Sequence, residues 1–121
     1  VNIEEVRTYC LEKKGVTEEF PFGPDTLVFK VLGRVFLLTS LTFHPFRVNL
    51  KMDSEMVEEY RDKYPDVQLG YHMNKKHWNS VYFDNNTIPR KELIWMLDHS
   101  YEEVVKRLPV KEKEKLKKIK K

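Results

Sequence analysis

Residues 70–79, Gly-Tyr-His-Met-Asn-Lys-Lys-His-Trp-Asn, carry the densest mixture of recognition chemistry in this 121-residue chain. His72, Asn74, Lys75, Lys76, His77, Trp78 and Asn79, with Tyr71 beside them, combine cations, amides and stacking rings. Such a mixture holds phosphate backbones, unstacked bases or small anions. A second polar set lies on a strand pattern. Phe46, Val48 and Leu50 alternate with Arg47, Asn49 and Lys51, and a period of two sends the two sets to opposite faces. Leu27, Phe29 and Val31 alternate with Val28 and Lys30 in the same way, so Lys30 joins that polar face if the strands are in register. The candidate nucleic-acid or ligand-binding set is therefore Lys30, Arg47, Asn49, Lys51 and the polar residues of the loop 72–79. The plain alternative is that Tyr71 and Trp78 pack the loop onto the sheet while Lys75 and Lys76 point to water.

Other chemistries find little footing. Four histidines and one cysteine are a thin supply for a zinc or iron site, and His72 and His77 match neither a helical i, i+4 pair nor a finger spacing. Cys10 sits at helical spacing from Ile3 and Val6, which predicts a packed thiol rather than a nucleophile. Glu55, Glu58 and Glu59 read as a solvated helix face, not an acid/base couple. The four glycines are scattered as turn residues, so there is no phosphate loop. His44, His99 and Trp95 read as turn, helix-surface and core-edge residues. The expectation is a binding protein with no catalytic residues, metal or cofactor. An enzyme using His72 or His77 as general base would need a partner group that the sequence does not reveal.

The elements that must position these residues follow from pattern. Asn2-Ile-Glu-Glu5 is a capping box, and it predicts a helix over residues 3–13 ended by Gly15. Phe20-Pro-Phe-Gly-Pro24 predicts a loop whose phenylalanines plug the core edge. Strands are expected at 26–32, 34–40, 46–51 and 80–83. A helix capped by Asp53 or Ser54 runs to residue 63, ahead of Pro65. The last long helix spans 90–108, with Leu93, Leu97, Tyr101, Val104 and Leu108 at three- and four-residue steps. The order argues for an α+β two-layer sandwich: an antiparallel sheet of four to five strands with helices on one face.

Composition and charge set the bounds. With 40% hydrophobic and 12% aromatic residues the chain is too apolar to be disordered, and it has room for one core. No stretch reaches the roughly 18 apolar residues of a membrane span, and no signal core is present, which predicts a cytoplasmic monomer with no membrane partner. The net charge of +3 divides unevenly: residues 1–107 sum to −2 and residues 108–121 to +5. A single domain over 1–108 is expected, followed by a flexible Lys-rich tail over 109–121.

Four segments carry a resemblance: Asn2-Ile-Glu-Glu-Val-Arg7, Phe20-Pro-Phe-Gly-Pro-Asp-Thr-Leu-Val-Phe-Lys30, His44-Pro-Phe-Arg-Val-Asn-Leu-Lys51 and residues 70–79. Through them the chain resembles the MmcQ/YjbR family of small bacterial proteins. The resemblance implies a frataxin-like (CyaY-like) fold and DNA as partner. The matching segments include Arg47, Asn49, Lys51 and the loop 72–79, where the residue chemistry alone also pointed. Iron binding of the frataxin kind is not implied, because Arg7, Lys13 and Lys14 interrupt the acidic run of the first helix. The alternative partner is a small anionic ligand or acidic peptide held by the same residues.

Overall fold

The Asn2 side chain accepts from the Glu5 amide at 2.9 Å and starts α1, Ile3–Leu11, which buries Val6 and Cys10. In this computed structural model, which describes residues 1–121 except 43–44, 71–72, 85–86 and 120–121, α1 stops short of residue 13. Gly15, at φ +72°, turns the chain directly into a strand instead. The elements that follow are β1 (Val16–Glu19), β2 (Thr26–Val31), β3 (Arg34–Ser40), β4 (Arg47–Lys51), α2 (Val57–Lys63), β5 (Val67–Leu69), β6 (Trp78–Tyr82), α3 (Arg90–Val105) and α4 (Val110–Lys118).

The strands form one antiparallel sheet in the order β1-β2-β3-β4-β6-β5. The α+β class and the helix-backed antiparallel sheet hold, but six strands stand where four to five were expected. The two unforeseen strands, β1 and β5, are the edges, and they are short, as edge strands tend to be. A two-residue turn at Leu32 and Gly33, both at positive φ, joins β2 to β3.

Leu27, Phe29, Leu37, Val48, Leu50 and Val81 share the core with Val6 and Cys10 of α1 and with Leu93, Met96, Leu97 and Val104 of α3. A bulge tightens this packing. Phe29 pairs with Leu37 but Lys30 pairs with Val35, so Phe36 is the additional residue, and both Phe36 and Leu37 are buried. The Ser100 hydroxyl of α3 fills the resulting gap in the ladder, donating to the Phe36 carbonyl and accepting from the Lys51 amide at 2.9 Å.

Three local expectations are corrected. Phe20 and Phe22 do not plug the core edge: they are 48% and 73% exposed, because β1 carries the chain to the sheet edge before the turn at Gly23. The second helix begins at Val57, since Asp53 closes a turn first, its carboxylate accepting from the Glu55 amide at 2.9 Å. The segment after Leu108, expected to fray, contains α4, which buries Leu116. Its seat is Gly15, where a Cβ would lie 2.8 Å from the Leu116 Cδ1, and an Arg34–Glu112 ion pair at 3.5 Å flanks it.

Candidate functional site

On the sheet face away from the helices, one row of paired residues crosses all six strands: Glu19, Val28, Leu38, Asn49, Ser80 and Gln68. Two residues to one side of that row Lys51 faces Trp78, and two residues to the other Arg47 faces Tyr82. Arg47, Asn49 and Lys51 therefore do share one face, with Lys30 on it as well. Their availability differs. Asn49 is 1% exposed and accepts from the Ser80 hydroxyl. Lys30 is tied to the Glu19 carboxylate at 3.2 Å. Arg47 donates to the Tyr82 hydroxyl at 3.3 Å, about 13 Å along the strand from Lys51.

The loop before β6 divides in the same way. Asn74 builds the turn: its side chain accepts from the Lys76 amide at 2.9 Å and its carbonyl from the His77 amide at 3.2 Å. The His77 carbonyl accepts from the Met52 amide at 2.7 Å and so continues the β4–β6 ladder, while its Nδ1 is buried with no hydrogen bond among the described residues. Asn79 lies opposite Leu50, so it faces the helices, not the open face. There its Nδ2 donates to the Val57 carbonyl at 3.0 Å. His72 and Tyr71, like His44, lie outside the described residues.

Lys75 and Lys76 are exposed, Lys51 is half-buried, and none of the three has an ion pair among the described residues. Burial pushes the Lys51 ammonium below its ordinary pKa, and the neighbouring Arg107 guanidinium pushes it the same way, against an opposing pull from Glu103. Glu103 is already engaged by Lys106 at 2.5 Å. One end of the β4–β6 pair thus gathers cations, while Trp78, paired with Lys51 across the ladder, is itself buried at 9% exposure.

The residue that sequence reading missed is Arg61, on the acidic α2. Its guanidinium donates to the Asn79 Oδ1 at 2.6 Å, the Lys75 carbonyl at 2.5 Å and the Trp78 carbonyl at 3.2 Å, clamping the loop from behind. A signal existed, since Arg61 stands four residues after Val57 and beside Tyr60, on the buried side of the helix. His99 and Trp95 belong to a different cluster. His99 accepts from the Asp53 amide at 3.1 Å and stacks on Trp95 at 4.7 Å, with Tyr60 stacked on Trp95 at 5.7 Å. Burial pushes the Cys10 thiol up to about 12, which removes it as a nucleophile. Among the described residues no three His, Cys, Asp or Glu side chains converge as metal ligands, and no helix is long and apolar enough to cross a membrane.

Fold and site together define a small helix-backed antiparallel sheet domain whose open face is cationic at one end. The model of the family described as YjbR matches residues 11–103, and the chain belongs to that family. It is 31% identical to the Escherichia coli K12 protein described as "Uncharacterized protein YjbR" over 116 residues, covering 96% of this chain and 97% of that one. It is 45% identical to "Uncharacterized protein YbdF" of Escherichia coli O157:H7 over 80 residues, 65% of each chain, so that match spans just under two thirds of the relative. The crystal structure of Deinococcus radiodurans protein DR2400 superposes with a TM-score of 0.89 at 39% identity, covering 96% of this chain and 88% of the other. A Pseudomonas syringae protein shares the fold at a TM-score of 0.71 and 23% identity, covering 84% and 97%.

Proposed function

We propose that this protein binds DNA, non-enzymatically and with modest affinity, through the cationic end of its open sheet face. The observation that carries the reading is that Lys51, at the end of β4, and Lys75 and Lys76, in the loop that enters β6 opposite it, are none of them ion-paired among the described residues. Phosphates would meet the three ammonium groups and His77 would meet a sugar or a base edge, while Trp78, 9% exposed, packs the loop onto the sheet. Arg47 extends the contact towards the far end of β4. Lys30, Asn49, Asn74 and Asn79 act behind this surface: their bonds to Glu19, Ser80, the loop backbone and α2 hold the strands and loop in place. The same reading takes the fold as CyaY-like and the site of action as the cytoplasm.

The test is fluorescence anisotropy of labelled single- and double-stranded DNA across a salt series. Each of Lys51→Ala and Lys75→Ala should weaken binding and lower the duplex salt slope by about 0.9, one phosphate's worth. Binding indifferent to both substitutions would remove the reading. A thermal shift with inorganic phosphate, without any binding of oligonucleotide, would replace DNA by a small anionic ligand.

A further inference from the structure

The β2–β3 turn, the C-terminal end of β4 and the loop before β6 lie at one end of the sheet, as the antiparallel registers require, and the C-terminal half of α3 reaches that end where Ser100 accepts from the Lys51 amide. α4 is docked at this same end: Leu116 and Ile119 reach Gly15, Leu116 is buried, and Glu112 pairs with Arg34, the first residue of β3. Glu112, Leu116 and Ile119, at steps of four and three, form the inward side of α4. Lys111, Lys115 and Lys118, also at steps of four and three, form an exposed stripe about 100° round the helix, beside the docked side. Arg107 lies between, half-exposed and within electrostatic reach of Lys51. Of the +5 carried by the last fourteen residues, the +3 of residues 108–119 is therefore carried by the docked α4 and its flanks.

We propose that α4 is a built part of the nucleic-acid surface, extending it from the loop lysines through Lys51 and Arg107 to the stripe Lys111, Lys115 and Lys118. This rests on the DNA-binding reading above and adds that the ligand is an extended polyanion. From β6 to β2 is three strand spacings, about 14 Å. One DNA strand presents about four phosphates over that length, at roughly 3.4 Å each. Mononucleotides and inorganic phosphate are too short to bridge it.

Two full-length variants test the placement. Leu116→Gln unseats α4 while leaving every charge in place, and it should weaken duplex binding at least about fivefold at 100 mM salt, with far-ultraviolet circular dichroism confirming that the sheet domain remains folded. Lys111→Gln/Lys115→Gln/Lys118→Gln keeps Leu116 in its seat and should lower the salt slope by about 2 to 3, at roughly 0.9 per phosphate contact. If the triple variant weakens binding but Leu116→Gln does not, α4 acts as a loose charged tail and the docked surface is overturned. If the triple variant binds like the parent, α4 is not part of the surface. Competition by vesicles of anionic lipid with the same dependence on the stripe would assign it to a membrane surface and overturn the proposal. If Leu116→Gln unfolds the protein, the milder Leu116→Ala takes its place in the comparison. Absence of DNA binding by the unaltered protein would instead remove the underlying function.

Discussion

Replacing Arg61 by Ala should destabilise the domain far more than a surface arginine would. The guanidinium makes three hydrogen bonds, and one of them satisfies Asn79 Oδ1 on a side chain that is 0% exposed. Truncation strands that oxygen between α2 and β6, where a buried unsatisfied acceptor costs about 1–3 kcal/mol. The bond to the Lys75 carbonyl is more exposed and adds less, so the expected loss is about 2–3 kcal/mol. For a domain of 121 residues that corresponds to a fall in Tm of about 10 °C, at roughly 4 °C per kcal/mol. Urea unfolding measured beside Glu59→Ala, an exposed neighbour expected to stay within about 0.5 kcal/mol, isolates the effect from changes in helix propensity. Arg61→Lys should rescue little, because an ammonium cannot reach three acceptors with a planar fork. A loss below about 0.5 kcal/mol would refute the clamp, since Asn79 would then be satisfied without Arg61.

Ser100→Ala removes the hydroxyl that bridges the Phe36 carbonyl and the Lys51 amide, and urea unfolding should show a loss of about 2 kcal/mol. His99 has its pKa held below the ordinary 6.5, chiefly by burial and against the pull of Glu103 and Asp53, so folding favours the neutral ring that accepts from the Asp53 amide. Its contribution is present above pH 6.5 and is lost as the pH falls through the lowered value, so urea midpoints between pH 7.5 and 5 should fall less steeply in His99→Gln. Cys10, pushed up to about 12, should react with a disulfide reagent at pH 8 about a thousandfold more slowly in the native protein than in urea.

The strand bearing Arg47, Asn49 and Lys51 was legible because alternation is a property of the strand itself, and its polar face is where it was expected. What alternation cannot give is the partner across the ladder. Asn49 meets Ser80 and is consumed by it, whereas Lys51 lies opposite Trp78 and makes no ion pair among the described residues. Asn79 looked like Asn74 and Asn49 in sequence, yet pairing with Leu50 turns it to the helix side, and a shift of one residue would have reversed that. The edges β1 and β5 escaped notice because three or four residues are too few to establish a period. α4 escaped for a different reason: two apolar residues seemed too few to dock a helix, but the absent side chain of Gly15 supplies the seat for Leu116.

A charge of −2 over residues 1–107 argues against a polyanion-binding body only if charge is spread evenly, and here it is not. The acids that lower the sum sit largely in ion pairs or on other surfaces: Glu18 with Arg7, Glu5 with Arg90, Glu103 with Lys106, and Glu58, Glu59 and Asp62 along α2. At about 8 Å of screening in physiological salt, a phosphate at Lys51 responds to Arg107 and the nearby loop lysines more than to the total. The acidic α2 still matters, because Arg61 ties it to the back of the loop and so places negative charge on that flank. On the proposed reading, a polyanion crossing the cationic end would be repelled on the α2 side and attracted on the α4 side. Its path would thereby be set along the end of the sheet, and neutralising Glu58 and Glu59 should raise the affinity for duplex DNA measured by anisotropy while leaving the salt slope unchanged.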